Sequence, residues 1–324
     1  MPEQFFPFEV YSALLIAIGV PFFAISLFLS YAIFFHTPSN LTPYKSHFLS
    51  LTFWYQFTIA PMVVFGRLDV DITNGTICTT YYGLIEYTKS VTVAYVESFF
   101  LYYGLTNVLV AILVMFFFRY CQACRPQSLY SQEPCWQRSI NGTITVVVTA
   151  GIVCSLMIAV LVDACDPPET FHHGVTFCFK PTIRLYIFLV LFFFFLVVAS
   201  GICFAFTIRT LYTISKNSAQ ASQRTKDMQR MLTITLIVSA GIPIVFGSIP
   251  VSFAIYVTAV HSPYATSVFR LVVLACVAQG LLQSIATLVL VKPYRQLLER
   301  LIKTRSVVKA TETKTVVVTL SKVL

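Results

Sequence analysis

Glu97 is a carboxylate at the edge of a long apolar run, 22 residues before Arg119. That separation is roughly 33 Å along a helix rising 1.5 Å per residue. An acid at that depth can neutralise a cationic ligand, or it can sit at a membrane interface, reaching water or pairing with Arg270 or Arg184. Around it Tyr95, Phe99, Tyr102 and Tyr103 recur at helical spacing. Such a stripe serves equally as the wall of an apolar pocket or as plain helix packing. Further along, the amides of Gln56, Asn107, Gln279 and Gln283 fall at similar depths, and Gln279 and Gln283, four apart, share a helix face. Amides there either hold helices together statically or form a network that rearranges.

Catalytic chemistry finds no such foothold. The chain has no HExxH, GxSxG or phosphate-loop motif. Adjacent His172 and His173 on a loop do not converge on one ion. Cys121, Cys124 and Cys135 have a CxxC start but no fourth ligand for tetrahedral zinc; they read as inert thiols or palmitoylation sites at the lipid edge. The sequence predicts no enzyme, no metal and no cofactor.

The elements that carry these residues follow from composition. The chain has 324 residues, 57% hydrophobic and 11% charged, against roughly 25% charged in a soluble domain. That places it in the membrane. Its net charge of +9 is dispersed over loops and tail, which excludes a nucleic-acid partner. Seven uncharged stretches lie between successive charges or histidines: Val10 to Phe35, Phe48 to Gly66, Ser98 to Phe118, Ser139 to Val162, Leu185 to Ile208, Met231 to Val260, and Leu271 to Val291. Each approaches the roughly 20 residues a helix needs to cross the hydrocarbon, and lipid leaves backbone amides no other partner. The third is expected to start near Val91. The prediction is an all-α, seven-helix transmembrane domain over residues 1–303, ending in a short amphipathic segment over 293–303, and a disordered cytosolic tail over 304–324. The first stretch lacks the basic flank of a signal peptide and is longer than a signal's apolar core, so it is expected to remain as a helix.

Orientation follows from Lys and Arg. With the amino terminus outside, seventeen of the 22 basic residues face the cytosol and five face outward. Asn74-Gly75-Thr76 then lies outside as a glycosylation candidate, while the sequons at Asn40 and Asn141 lie inside. Cys78, Cys165 and Cys178 fall on the oxidising side, and one disulfide is expected among them, with Cys78 bonded to Cys165 or Cys178 favoured over a bond within the second outer loop. The outer segments, chiefly Arg67 to Ser90 and Asp163 to Arg184, are short, so a ligand must bind among the helices or beneath these loops. Pro243 and Pro250 in the sixth span each remove a backbone donor and predict bends.

Four stretches carry a resemblance. They are His36-Thr-Pro-Ser-Asn-Leu-Thr-Pro-Tyr-Lys45, Phe117-Phe-Arg-Tyr120, Gln229-Arg-Met-Leu232 followed by Gly241-Ile-Pro243, and Lys292-Pro-Tyr-Arg295. In these positions the chain resembles G-protein-coupled receptors, and more closely the nematode serpentine chemoreceptors, the superfamily that includes the Str, Srh, Sri, Srj and Srd groups. The resemblance implies a plasma-membrane receptor of sensory-neuron cilia that binds a small chemical cue and activates a heterotrimeric G protein, embedded in and contacting membrane lipid. Depth and spacing then make Glu97, Tyr95, Phe99, Tyr102, Tyr103 and Gln279 the expected ligand residues, and the resemblance implies Arg119, Tyr120, Arg209, Arg230, Lys292 and Arg295 at the G-protein face. The alternative is a small transporter or a ligand-gated channel subunit. Two departures from rhodopsin-like receptors stand out. Phe118, not an acid, precedes Arg119, and no Lys lies within the seventh span to bind retinal.

Overall fold

The computed structural model describes residues 6–73, 76–128, 130, 133–165, 174–180, 182–217, 223–260 and 262–301. Seven of its helices are long and apolar enough to span a membrane. They are α1 (Phe8–His36), α2 (Thr42–Phe65), α3 (Val91–Cys124), α4 (Pro134–Val162), α5 (Ile183–Asn217), α6 (Gln223–Pro243, a π turn Ile244–Ser248, then Ile249–Ala259) and α7 (Ala265–Leu290). A short helix, α8, follows over 292–301, overlapping the 293–303 segment expected to be amphipathic. The tail beyond it lies outside the described residues. Pro43 and Pro134 stand in the first turns of α2 and α4, where a missing N–H is harmless.

Several helices run past the stretches delimited by charge. Arg119, Arg138, Arg209 and Arg270 all lie within helices rather than at their ends. Charge marks where hydrocarbon stops, but the backbone hydrogen bonds of a helix continue into the interface regardless. α3 is the most buried of the spans; it packs along α2, while α7 packs along α1.

The fold is the helical seven-span bundle expected, and its outer loops add one small sheet. β1 (Arg67–Thr73), β2 (Thr76–Tyr82), β3 (Ala164–Cys165) and β4 (Val175–Phe179) form one antiparallel sheet in the order β1-β2-β4-β3. Side chains alternate across a strand with a period of two. Leu68 and Val70 on β1, Ile77 and Thr79 on β2, and Phe179 on β4 therefore share one face, and Asp69, Asp71, Cys78 and Thr80 share the other. Gly174 leads into β4 at φ 89°, a region open to glycine, and a Cβ there would meet Thr80 at 2.7 Å.

The sheet is a roof fastened to the bundle on several sides. The Cys78–Cys178 disulfide joins β2 to β4, as one of the two favoured pairings; Cys165 is free and stands across from Cys178. Arg270 on α7 donates through Nε and Nη2 to both oxygens of Asp69 at 2.8 Å, and through Nη1 to the Phe6 carbonyl at 2.6 Å. Both ion-pair partners are buried. Thr266 on α7 donates to Asp71 at 2.8 Å and accepts the Ile72 amide at 3.1 Å. From α1, Tyr11 donates to the Leu68 carbonyl at 2.6 Å, and Ser12 accepts from Arg67 at 2.6 Å. On α3, Ser98 hydrogen-bonds Tyr81 at 2.7 Å. Burial pushes the Tyr81 phenol well above its ordinary range, so that contact stays intact at any physiological pH.

Candidate functional site

Beneath the roof lies a cavity of about 230 Å³. Its ceiling is the lower face of the sheet, through Leu68, Val70, Ile77 and Phe179. Its walls come from α3 (Leu101, Tyr102, Leu105), α4 (Val153, Leu156), α5 (Phe188, Leu189, Phe192), the outer segment of α6 (Val251, Ala254, Ile255) and α7 (Val272, Val273, Cys276). No charged side chain lines it. Thr106 and Thr258 reach the cavity, but each donates its hydroxyl to a carbonyl of its own helix, at 2.9 and 2.8 Å. The hydroxyls of Tyr102 and Thr79 remain to meet a polar atom of a guest.

Of the six residues that sequence placed at a ligand, Tyr102 alone lines this cavity. Tyr95 packs against Phe177 of the roof, its ring tilted and the ring centres 4.4 Å apart. Phe99 stacks with Tyr103 at 6.0 Å, and Tyr103 meets Trp54 of α2 edge-on. Glu97 is not in the lining either. It pairs with neither Arg270 nor Arg184, because those arginines hold Asp69 and Asp163. One buried oxygen of Glu97 has no hydrogen-bond partner among the described residues.

The four amides do not form one network. Gln56 donates to Ser26 and Ser30 on α1. Asn107 donates to the Tyr103 carbonyl at 2.9 Å and accepts from Thr149. The pair on α7 grips two other helices. Gln279 donates to the Tyr55 hydroxyl at 2.9 Å, and its Oε1 lies where a Cβ on Gly247 would come within 2.7 Å. Gln283 donates to Ser239 on α6 at 2.8 Å. Gly247 falls inside the π turn Ile244–Ser248, between the two prolines. α6 thus carries a widened π turn between its two prolines, and α7 meets it at that turn and at Ser239. Bulges of this kind recur where helices bend or function.

At the inner end, Arg119 is buried and donates through Nη1 to the Tyr44 hydroxyl on α2. The same hydroxyl donates to Gln122. The guanidinium also lies 5.7 Å from the centre of the Tyr44 ring. Tyr44 stands where an acid beside the arginine would act, a partner that sequence did not identify. The other cytosolic candidates are separate. Tyr120 stacks on Phe206 of α5 at 4.9 Å. Arg209 and Lys292 are exposed, and Arg295 reaches Glu299 at 3.7 Å. Arg230 lies on α6, with its side chain outside the described residues. Tyr294 is buried and hydrogen-bonds Thr37 at 3.0 Å, fixing α8 to the end of α1.

Asn74 and the His172-His173 pair lie outside the described residues. Among the described residues, no group of three His, Cys, Asp or Glu is placed to hold a metal ion.

Seven apolar helices, a disulfide-bonded outer cap and a helix-three arginine at the inner end define a multi-pass membrane protein of the seven-helix receptor class. The profile of the serpentine type 7TM GPCR chemoreceptor Srh family matches residues 8–304, and the chain belongs to that family. Comparison with curated proteins gives no match.

Proposed function

We propose that this chain is a plasma-membrane chemosensory receptor, of sensory-neuron cilia by its resemblance, that binds a small uncharged molecule beneath the roof and activates a heterotrimeric G protein. The observation that supports this reading is the construction of α6. Its outer segment lines the apolar chamber, its π turn rests on Gln279, and its inner segment is tied to α7 through Ser239. A guest that prefers one placement of the outer segment shifts the population of the inner one. Arg119, released from Tyr44, would then meet the G protein, with Tyr120, Arg209, Arg230, Lys292 and Arg295 around it. Glycan on Asn74 is proposed on the same outward orientation.

The test is expression in cells with a calcium or cyclic-nucleotide readout against a panel of small neutral volatiles. Arg119→Ala is expected to reach the surface and lose at least tenfold in agonist-evoked signal. If Arg119→Ala couples normally, the inner site is misassigned. Gly247→Val probes the hinge. The added methyl groups push against the end of the Gln279 side chain, which can yield, so the fold survives while α6 parts from α7. Displacing Gln279 also weakens its hydrogen bond to Tyr55, and a loss of about 1 kcal/mol shifts a two-state balance roughly fivefold. Basal signalling, normalised to surface level, is therefore expected to rise several-fold; a basal level equal to that of the unsubstituted receptor would remove the hinge from the mechanism.

A further inference from the structure

The chamber is roofed by the sheet on its outer side. We propose that its guest is an apolar, bilayer-partitioning molecule that arrives sideways, between the outer halves of α5 and α6; this rests on the reading of the chamber as the ligand site.

Three observations meet here. The first is the roof. It is tied to α1 through Tyr11 and Ser12, to α3 through Tyr81, and to α7 through Thr266 and the buried Asp69–Arg270 pair. Lifting it toward water would expose that ion pair and break those bonds together. The second is the wall. α5 meets the inner part of α6, but barely touches its outer segment, Ile249–Ala259. As whole spans, α5 is the least buried of the seven and α6 is among the least, whereas α3 and α7 are the two most buried. In the chamber wall, Phe188, Leu189 and Phe192 on α5 and Val251 and Ile255 on α6 are half-buried, while Leu185, Ala254 and Thr258 beside them are buried. The seam between α5 and α6 is therefore the thin side, and side chains there can part at little cost because lipid tails are as apolar as the side chains they replace.

The third observation is the lining itself. With no charge and with two of its four hydroxyls already bonded within their own helices, it gives a charged or strongly hydrated molecule little in return for its lost water. An apolar cavity of about 150 Å³ holds benzene, so about 230 Å³ suits a somewhat larger hydrocarbon skeleton with one polar atom for Tyr102. Molecules of that kind concentrate in the bilayer before they meet any receptor. The route and the lining thus select the same chemistry.

The experiment uses the full chain in lipid nanodiscs and two photoreactive probes. One is a phosphatidylcholine carrying a diazirine on its acyl chain, which cannot leave the bilayer. The other is a free, uncharged alkyl diazirine. Labelled residues are mapped by peptide mass spectrometry. Both probes are expected to mark the chamber side of α3, from Leu101 to Leu105, which an acyl chain reaches only through the wall. Leu105→Trp, which fills the chamber, is expected to reduce that label at least fivefold with both probes. If the free alkyl probe marks α3 and the phospholipid marks only the outward faces of α5 and α6, the guest comes through the roof. Should neither probe mark α3, the chamber admits no apolar guest at all. Labelling needs no signalling, so a chain that labels as expected yet never couples leaves the lateral route standing while the receptor proposal fails.

Discussion

Arg270→Ala is expected to lower the stability of the folded chain by about 3–5 kcal/mol, the cost of leaving one charge of a buried pair without its partner. The Asp69 side chain is only 9% exposed and receives two hydrogen bonds from the guanidinium. Without it, the carboxylate must either take up a proton or draw water into the junction of β1, α1 and α7. The same guanidinium holds the Phe6 carbonyl and lies 5.7 Å from the centre of the Phe8 ring, so the start of α1 loosens too. The measurement is thermal unfolding in detergent, with a midpoint expected to fall by roughly 5–10 °C. Arg270→Ala combined with Asp69→Ala should recover part of the loss, because no lone charge remains. An Arg270→Ala midpoint within about 1 °C of the parent would show that the pair contributes nothing to holding the roof.

That pair also marks the limit of what charge reveals in a sequence. Seven spans were legible because lipid excludes charge over roughly 20 residues, and the same rule treated Arg270 as the edge of the seventh span. It is instead a buried residue inside α7, and its partner lies 201 positions earlier. The roof strands left a local trace. In Leu68-Asp-Val-Asp-Ile72 the apolar residues alternate with acids, the period of a strand with two unlike faces. The pairing of β2 with β4 has no local signature. It joins residues about a hundred apart and depends on where the helices set the two loops down.

The aromatic stripe on α3 teaches a related lesson. Tyr95, Phe99 and Tyr103 are four apart and share a face, and the structure turns Tyr95 to Phe177 of the roof and Tyr103 to Trp54 of α2. Tyr102, one position off, faces the chamber. Periodicity tells which residues point the same way and is silent on what they point toward. Much of the chamber wall comes from α4, α5 and α6, whose uniformly apolar faces carry no contrast from which a pocket could be read. Tyr44 was similarly hidden, since a phenol at the foot of α2 carries no charge to draw it to Arg119.

Removal of the disulfide should separate two cysteines that look equivalent in sequence. Cys178→Ser is expected to cost about 2–4 kcal/mol. The bond closes a separation of 100 residues, and the chain-entropy effect of so long a loop is reduced here because inserted helices already confine it. Cys78→Ser should cost less. β4 lies between β2 and β3, and Cys165 on β3 stands opposite Cys178. With Cys78 gone, those two thiols face each other on the oxidising side and can bond. With Cys178 gone, Cys78 and Cys165 are two strand spacings apart, roughly 9–10 Å, beyond the reach of about 7 Å between Cα atoms that a disulfide tolerates. Non-reducing peptide mapping should therefore find Cys165 bonded to Cys178 in Cys78→Ser, and no bond in the roof of Cys178→Ser. Combining Cys78→Ser with Cys165→Ser should bring the unfolding midpoint down to that of Cys178→Ser. If Cys165 stays reduced in Cys78→Ser and both single substitutions unfold at one temperature, the sheet order gives the third cysteine no role in holding the roof.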